Sequence, residues 1–189
     1  MDLSRSLIEE KAREYASEEP FHTVEAEHVE MLPETFADDA FGWRDAEWVV
    51  QWYYRRHLGA YPDSERRDRE ARYGENDFGT VLETLPAVFD HSTTADRLEI
   101  LTSLAGIDVP VGSAFLQFMF PDRYVVLGER EWRTLVAAGE LDGSYPNPPS
   151  IADYERFHAV CRNLLDRFDL DAWTLYRAIW RLGTAHAAP

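Results

Sequence analysis

LTSLAGIDVPVGSAFLQFMFPDRYVVLGEREW, from Leu101 to Trp132, is the stretch on which the reading of this chain turns. Leu101 and Leu104 continue a helical apolar face begun at Leu98, and Gly106 with Asp108 then breaks it. Asp108 is a natural N-cap for a second helix, because its carboxylate can accept from free first-turn N–H groups. Pro110 falls in that first turn, where a missing N–H costs nothing. Gly112, Ser113 and Ala114 are small enough to let the second helix lie close on the first. The pattern predicts a helical hairpin over 94–119 and a further helix over 128–139. Gly106 is expected in the turn, with Leu101, Leu104, Ile107, Leu116, Phe118 and Trp132 buried.

Outward from that hairpin, apolar periodicity predicts helices near 2–18, 24–38, 44–58, 76–89, 150–167 and 170–182. Tyr61 to Gly74, rich in arginine and acids, reads as a loop, as does Leu141 to Ser150, where Gly143, Pro146, Pro148 and Pro149 prevent helix. Tyr124 to Leu127 is apolar enough for one short strand or an extended crossing. There is no internal repeat. With 189 residues, 45% of them hydrophobic and 13% aromatic, the chain can bury one substantial core. The expected fold is mainly α, one compact multi-helix domain over 1–189.

The formal net charge is −16, with 35 acidic residues against 19 basic ones, and Lys11 is the sole lysine. An acidic, lysine-poor surface of this kind resembles proteins adapted to concentrated salt, where carboxylate repulsion is screened within roughly 3 Å at 1 M. The competing reading is a mimic of DNA or a binder of a basic partner, but the acids are dispersed rather than in a block. No apolar run approaches the roughly twenty residues a membrane span needs. Residues 3–15, LSRSLIEEKAREY, are charged and amphipathic rather than leader-like, so a cytoplasmic protein without a membrane partner is expected.

Cys161 is the one cysteine, which excludes an internal disulfide and a multi-thiolate metal site. His22, His28, His57, His91, His158 and His186 form no recognised ligand pair. His158 and Cys161, three apart on a predicted helix, read as core packing before they read as ligands. No metal and no cofactor are expected.

The central segment resembles the hairpin motif L-x-x-L-P-G-V-G-x-K-x-A of the helix-hairpin-helix DNA glycosylase superfamily. Leu101, Leu104, Gly106 and Ile107 match its first part, and Phe115, Leu116, Phe118, Tyr124, Val125, Val126 and Leu127 match the apolar run after it. A fainter likeness, to the oxoguanine-glycosylase-like branch, extends from about Trp43 to Gly183. It takes in EWVVQWYYRR from Glu47, an Asn76 heading the next helix, and DAWTLYRAIWRLG from Asp171. In that superfamily a Schiff-base lysine follows the leading leucine by six positions, and an aspartate that assists loss of the base follows about eighteen later. Counted from Leu104, those positions hold Pro110 and Gly128. Pro110 has no nucleophilic amine and Gly128 no carboxylate, so the resemblance implies the fold without the usual chemistry. Asp108 replaces the hairpin's second glycine and would repel the phosphate that this turn otherwise holds.

Three functions stand on this reading. The first is a non-catalytic binding or structural role, with a weak nucleic-acid or nucleotide ligand in a former base pocket. The second is an active base-excision glycosylase in which Glu129 or another acid activates water. The third is a protein-interaction module, its partner unknown. Trp48, Trp52 and Trp132 are the pocket candidates, although Trp48 and Trp52 at i, i+4 equally make a buried stripe. Gly106, Asp108, Arg55, Arg56, Arg66, Arg67 and Arg69 are the DNA-contact candidates, the last three in a segment that Glu65, Asp68 and Glu70 largely neutralise, so that it reads as a solvated loop or short helix. With a repulsive global field, binding to duplex DNA is expected to be weaker than about 10 µM at 0.15 M salt. An open aromatic cleft with a carboxylate facing it would favour the enzyme, and a filled one the interaction module.

Overall fold

Ser4, Asp77, Thr93, Asp108 and Ser150 each accept a hydrogen bond from the first turn of the helix they precede, and these caps set the starts of those five helices. In the computed structural model, residues 1–184 are described, and they are helical almost throughout, with no strand among them. The helices are α1 (Arg5–Glu18), α2 (His22–Ala37), α3 (Trp43–Arg55), α4 (Asp63–Tyr73) and α5 (Phe78–Ala87), with a 3₁₀ turn at Val88–Asp90. They continue as α6 (Thr94–Leu101), α7 (Val109–Met119), α8 (Glu129–Ala137), α9 (Ile151–Phe168) and α10 (Ala172–Thr184). No described helix is long and apolar enough to cross a membrane.

Two helices organise the core. Every residue of α7 is buried, and α2, α3, α6 and α9 pack around it. α10 lies against α1, α8 and α9. The hairpin of α6 and α7 turns where expected, with Gly106 at φ +77°, a conformation that glycine enters without Cβ strain. Space also demands glycine there, because a Cβ would stand 2.6 Å from the Tyr73 backbone nitrogen. The six residues expected to be buried, from Leu101 to Trp132, are all at most 4% exposed.

One local expectation differs from the structure, and one left open is decided by it. The segment read as a loop, Tyr61 to Gly74, contains α4. It has almost no apolar face, and what holds it is charge spacing. Arg66–Glu70 (3.1 Å), Arg69–Glu65 (3.6 Å) and Arg67–Asp63 (3.8 Å) are all i, i+4 pairs, and Tyr73 anchors its buried end. Tyr124 to Leu127 is the extended crossing, not a strand. Side chains rather than a neighbouring strand serve its buried backbone. Val126 N donates to Gln117 Oε1 (2.6 Å) and Leu127 N to Ser113 Oγ (2.8 Å). The Tyr154 and Tyr53 hydroxyls donate to the carbonyls of Val125 and Leu127, both at 3.2 Å.

Candidate functional site

The extended crossing delivers the chain to Gly128, the N-cap of α8, directly over a buried ion pair. Arg56 Nη1 donates to Glu131 Oε1 at 2.6 Å, and neither side chain has any exposure. Arg56 also donates to the Tyr176 hydroxyl (3.2 Å) and the Tyr53 carbonyl (3.1 Å), with its guanidinium carbon 4.8 Å from the Trp180 ring centroid. Arg56 Nη2 and Glu131 Oε2 have no hydrogen-bond partner among the described residues. Both flank the face of Gly128 that carries no side chain. A Cβ there would stand 2.9 Å from Nη2 and collide with Oε2. The absence of a side chain at 128 is therefore a packing requirement of this core.

Beside this point lies an open cleft of about 410 Å³ where the ends of α3, α4, α7 and α8 meet. Tyr53, Tyr54 and His57 come from the end of α3, Tyr61 from the connection to α4, and Glu65 and Arg69 from α4 itself. Asp108 and Pro110 come from the start of α7, Glu129 from the start of α8, and Tyr145 with Asn147, Pro148 and Pro149 forms a lip from the 139–150 loop. That lip is pinned by Trp132, whose indole N–H donates to the Gly143 carbonyl at 3.0 Å. The two positions singled out by register, Pro110 and the neighbourhood of Gly128, thus border one cavity.

The charges of the cleft are bound to one another. Asp108 accepts from Val111 N (3.1 Å) and faces Arg69 at 3.4 Å, while Arg69 is shared with Glu65 at 3.6 Å. Although 44% of its side chain is exposed, Asp108 sits in a concave wall, and crowding by protein atoms raises its pKa above the usual carboxylate range. Glu129 stands on the rim, 53% exposed and held by Arg133 at 2.6 Å. His57 is pushed down to about 3, by burial first and by Arg56 and Arg130 after it. At neutral pH it therefore presents an uncharged ring.

The tryptophan candidates lie elsewhere. Trp52 is buried and donates to Glu25 at 3.1 Å, and Trp48 stacks on His28 with centroids 3.6 Å apart. Trp132 acts on the cleft only by holding its lip. Of the arginines expected to meet DNA, Arg56 is enclosed, Arg55 grips Glu70 (3.0 Å), Arg66 pairs with Glu70 and Asp63, and Arg67 pairs with Asp63. Gly106 is packed against the end of α4 rather than presented outward. Asn76 does not cap α5, a task that falls to Asp77. It clasps the hairpin turn, its amide donating to Ala105 O (2.9 Å) while its carbonyl accepts from Ala105 N (2.8 Å).

No group of three or more metal-ligating side chains occurs among the described residues. His158 and Cys161 are both buried, His158 stacking between Tyr124 and Tyr154. His186 lies outside the described residues. No family model, curated protein or solved structure matches the chain.

Proposed function

We propose that this chain is a non-catalytic binding protein of helix-hairpin-helix glycosylase type, whose tyrosine cleft takes a planar nucleobase-sized ring. The observation that carries the reading is the cleft itself. It opens where Pro110 and Glu129 meet, is walled by Tyr53, Tyr54, Tyr61 and Tyr145, and has a volume within the roughly 300–1,000 Å³ of small-molecule sites. The half-buried rings of Tyr61 and Tyr145 suit stacking on a base, with Tyr53 and Tyr54 buried behind them, and the carboxylates and phenols offer hydrogen-bonding groups to a ring edge. Nothing in the cleft supplies the missing chemistry. The sole lysine is on α1, and the sole cysteine is fully buried. Glu129 stands half-exposed on the rim and is committed to Arg133 at 2.6 Å rather than turned into the cleft as a free acid. That the cleft is open rather than filled weighs against a pure protein-interaction module.

The test has two halves. Nucleosides should bind the protein measurably by calorimetry, and Tyr61→Ala should weaken that binding. The same protein should excise no oxidised, alkylated or deaminated base and give no borohydride-trapped adduct. Excision that disappears in Glu129→Gln would establish the enzyme in place of this reading.

A further inference from the structure

A second groove of about 410 Å³ shares His57 and Glu129 with the tyrosine cleft and continues past them along α8 to Gly183 at the end of α10. Its charge has the opposite sign. The tyrosine cleft sets Glu65 and Asp108 against Arg69, whereas this groove sets Arg130 and Arg133 against Glu129. Arg133 is neutralised by Glu129, but Arg130 is not. It is half-buried, and no carboxylate among the described residues lies within ion-pairing distance of its guanidinium. The guanidinium carbon lies 3.9 Å from the Trp180 centroid, and the stem fills the space left by Gly183, where a Cβ would collide with Arg130 Cγ. A partly desolvated cation held in a fixed place, in a protein of net charge −16, leaves a strong local demand for an anion.

We infer that the α8–α10 groove is a phosphate subsite and that the ligand is a mononucleotide, its ring in the tyrosine cleft and its phosphate on Arg130. The inference rests on the ring-binding reading of the cleft. A single unneutralised guanidinium matches a single phosphate. A longer strand would lay further phosphates along an acidic surface, which disfavours nucleic acid as the occupant.

The experiment is a set of calorimetric titrations at fixed salt with guanosine, guanosine 5′-monophosphate, inorganic phosphate and a short 5′-phosphorylated single strand. The proteins are the unaltered chain, Arg130→Gln, Arg130→Lys and Tyr61→Ala. The monophosphate should bind about tenfold tighter than the nucleoside, with Arg130→Gln erasing that difference and Arg130→Lys keeping part of it. Unchanged nucleoside affinity in Arg130→Gln shows that this variant is folded. Equal affinity for nucleoside and monophosphate would overturn the phosphate subsite while leaving the ring reading intact. Arg130-dependent phosphate binding without nucleoside binding, unaffected by Tyr61→Ala, would retain the subsite and reject the ring reading. A strand that binds tighter than the monophosphate would overturn the mononucleotide assignment, and no binding by any probe would overturn both inferences.

Discussion

Gly128 shows how far one residue can be read from sequence. Counted in the register of the superfamily it resembles, glycine falls where that superfamily carries a catalytic aspartate. The reason glycine is required is not legible. It lies in Arg56 and Glu131, distant in sequence from each other and brought together under Gly128, Arg56 from the C-cap of α3 and Glu131 from the first turn of α8. Gly128→Asp is therefore expected to restore no excision and to destabilise the fold by about 2–4 kcal/mol, because its side chain must displace a buried ion pair that is costly to break. Urea unfolding at pH 7 measures this, and a variant as stable as the parent would contradict the packing described. His57 supplies a pH dependence. Its folded pKa, about 3, lies below the unfolded value of roughly 6.5, so between these values the unfolded chain binds the extra proton. The stability this confers is present above pH 6.5 and is lost as pH falls toward 3. The parent should lose about 2 kcal/mol more than His57→Gln between pH 7 and pH 4.5 in urea midpoints, and equal losses would contradict a buried neutral imidazole.

Among the elements, those with an apolar stripe were readable and the one without was missed. α7 announces itself through Asp108, Pro110 and a run of buried residues, and it begins and ends where the sequence predicts. α4 has no stripe, and its ladder of i, i+4 charges reads alike as a solvated loop or a short helix. Such pairs support a helix only when one end is anchored, and the anchors, Tyr73 in the core and Arg55 on Glu70, come from tertiary packing. The crossing at 124–127 needs no partner strand, because its donors and acceptors are satisfied by Gln117, Ser113, Tyr53 and Tyr154 from three helices. Asn76 ties the α4–α5 connection to the hairpin turn by two hydrogen bonds to one residue. Asn76→Ala should cost about 1–2 kcal/mol by leaving the part-buried groups of Ala105 unserved, measured by chemical denaturation. Asn76→Asp should recover the bond from Ala105 N alone, and an alanine variant of parental stability would show that water serves the turn equally well.

For the molecule as a whole, the dispersed acidity predicts that salt stabilises the fold. The melting temperature should rise from dilute buffer to molar salt, as screening removes repulsion among carboxylates, and a salt-independent melt would contradict this. The fold class was legible from periodicity, caps and core composition, whereas the site was only half legible. Pro110 and Glu129 were placed by counting, but the walls were not. Tyr53 and Tyr54 are indistinguishable in sequence from the buried face of α3, and Tyr61 and Tyr145 come from connections that only the packed fold brings together. The most direct test of the central claim is a protein-observed NMR titration with guanosine. The account predicts that amide shifts concentrate on Ala60, Tyr61, Asp108, Glu129, Tyr145 and Asn147 around the tyrosine cleft. Shifts confined to the larger groove of about 610 Å³ lined by Asp122, Arg123, Arg162 and Asp166, or no shifts at all, would contradict it.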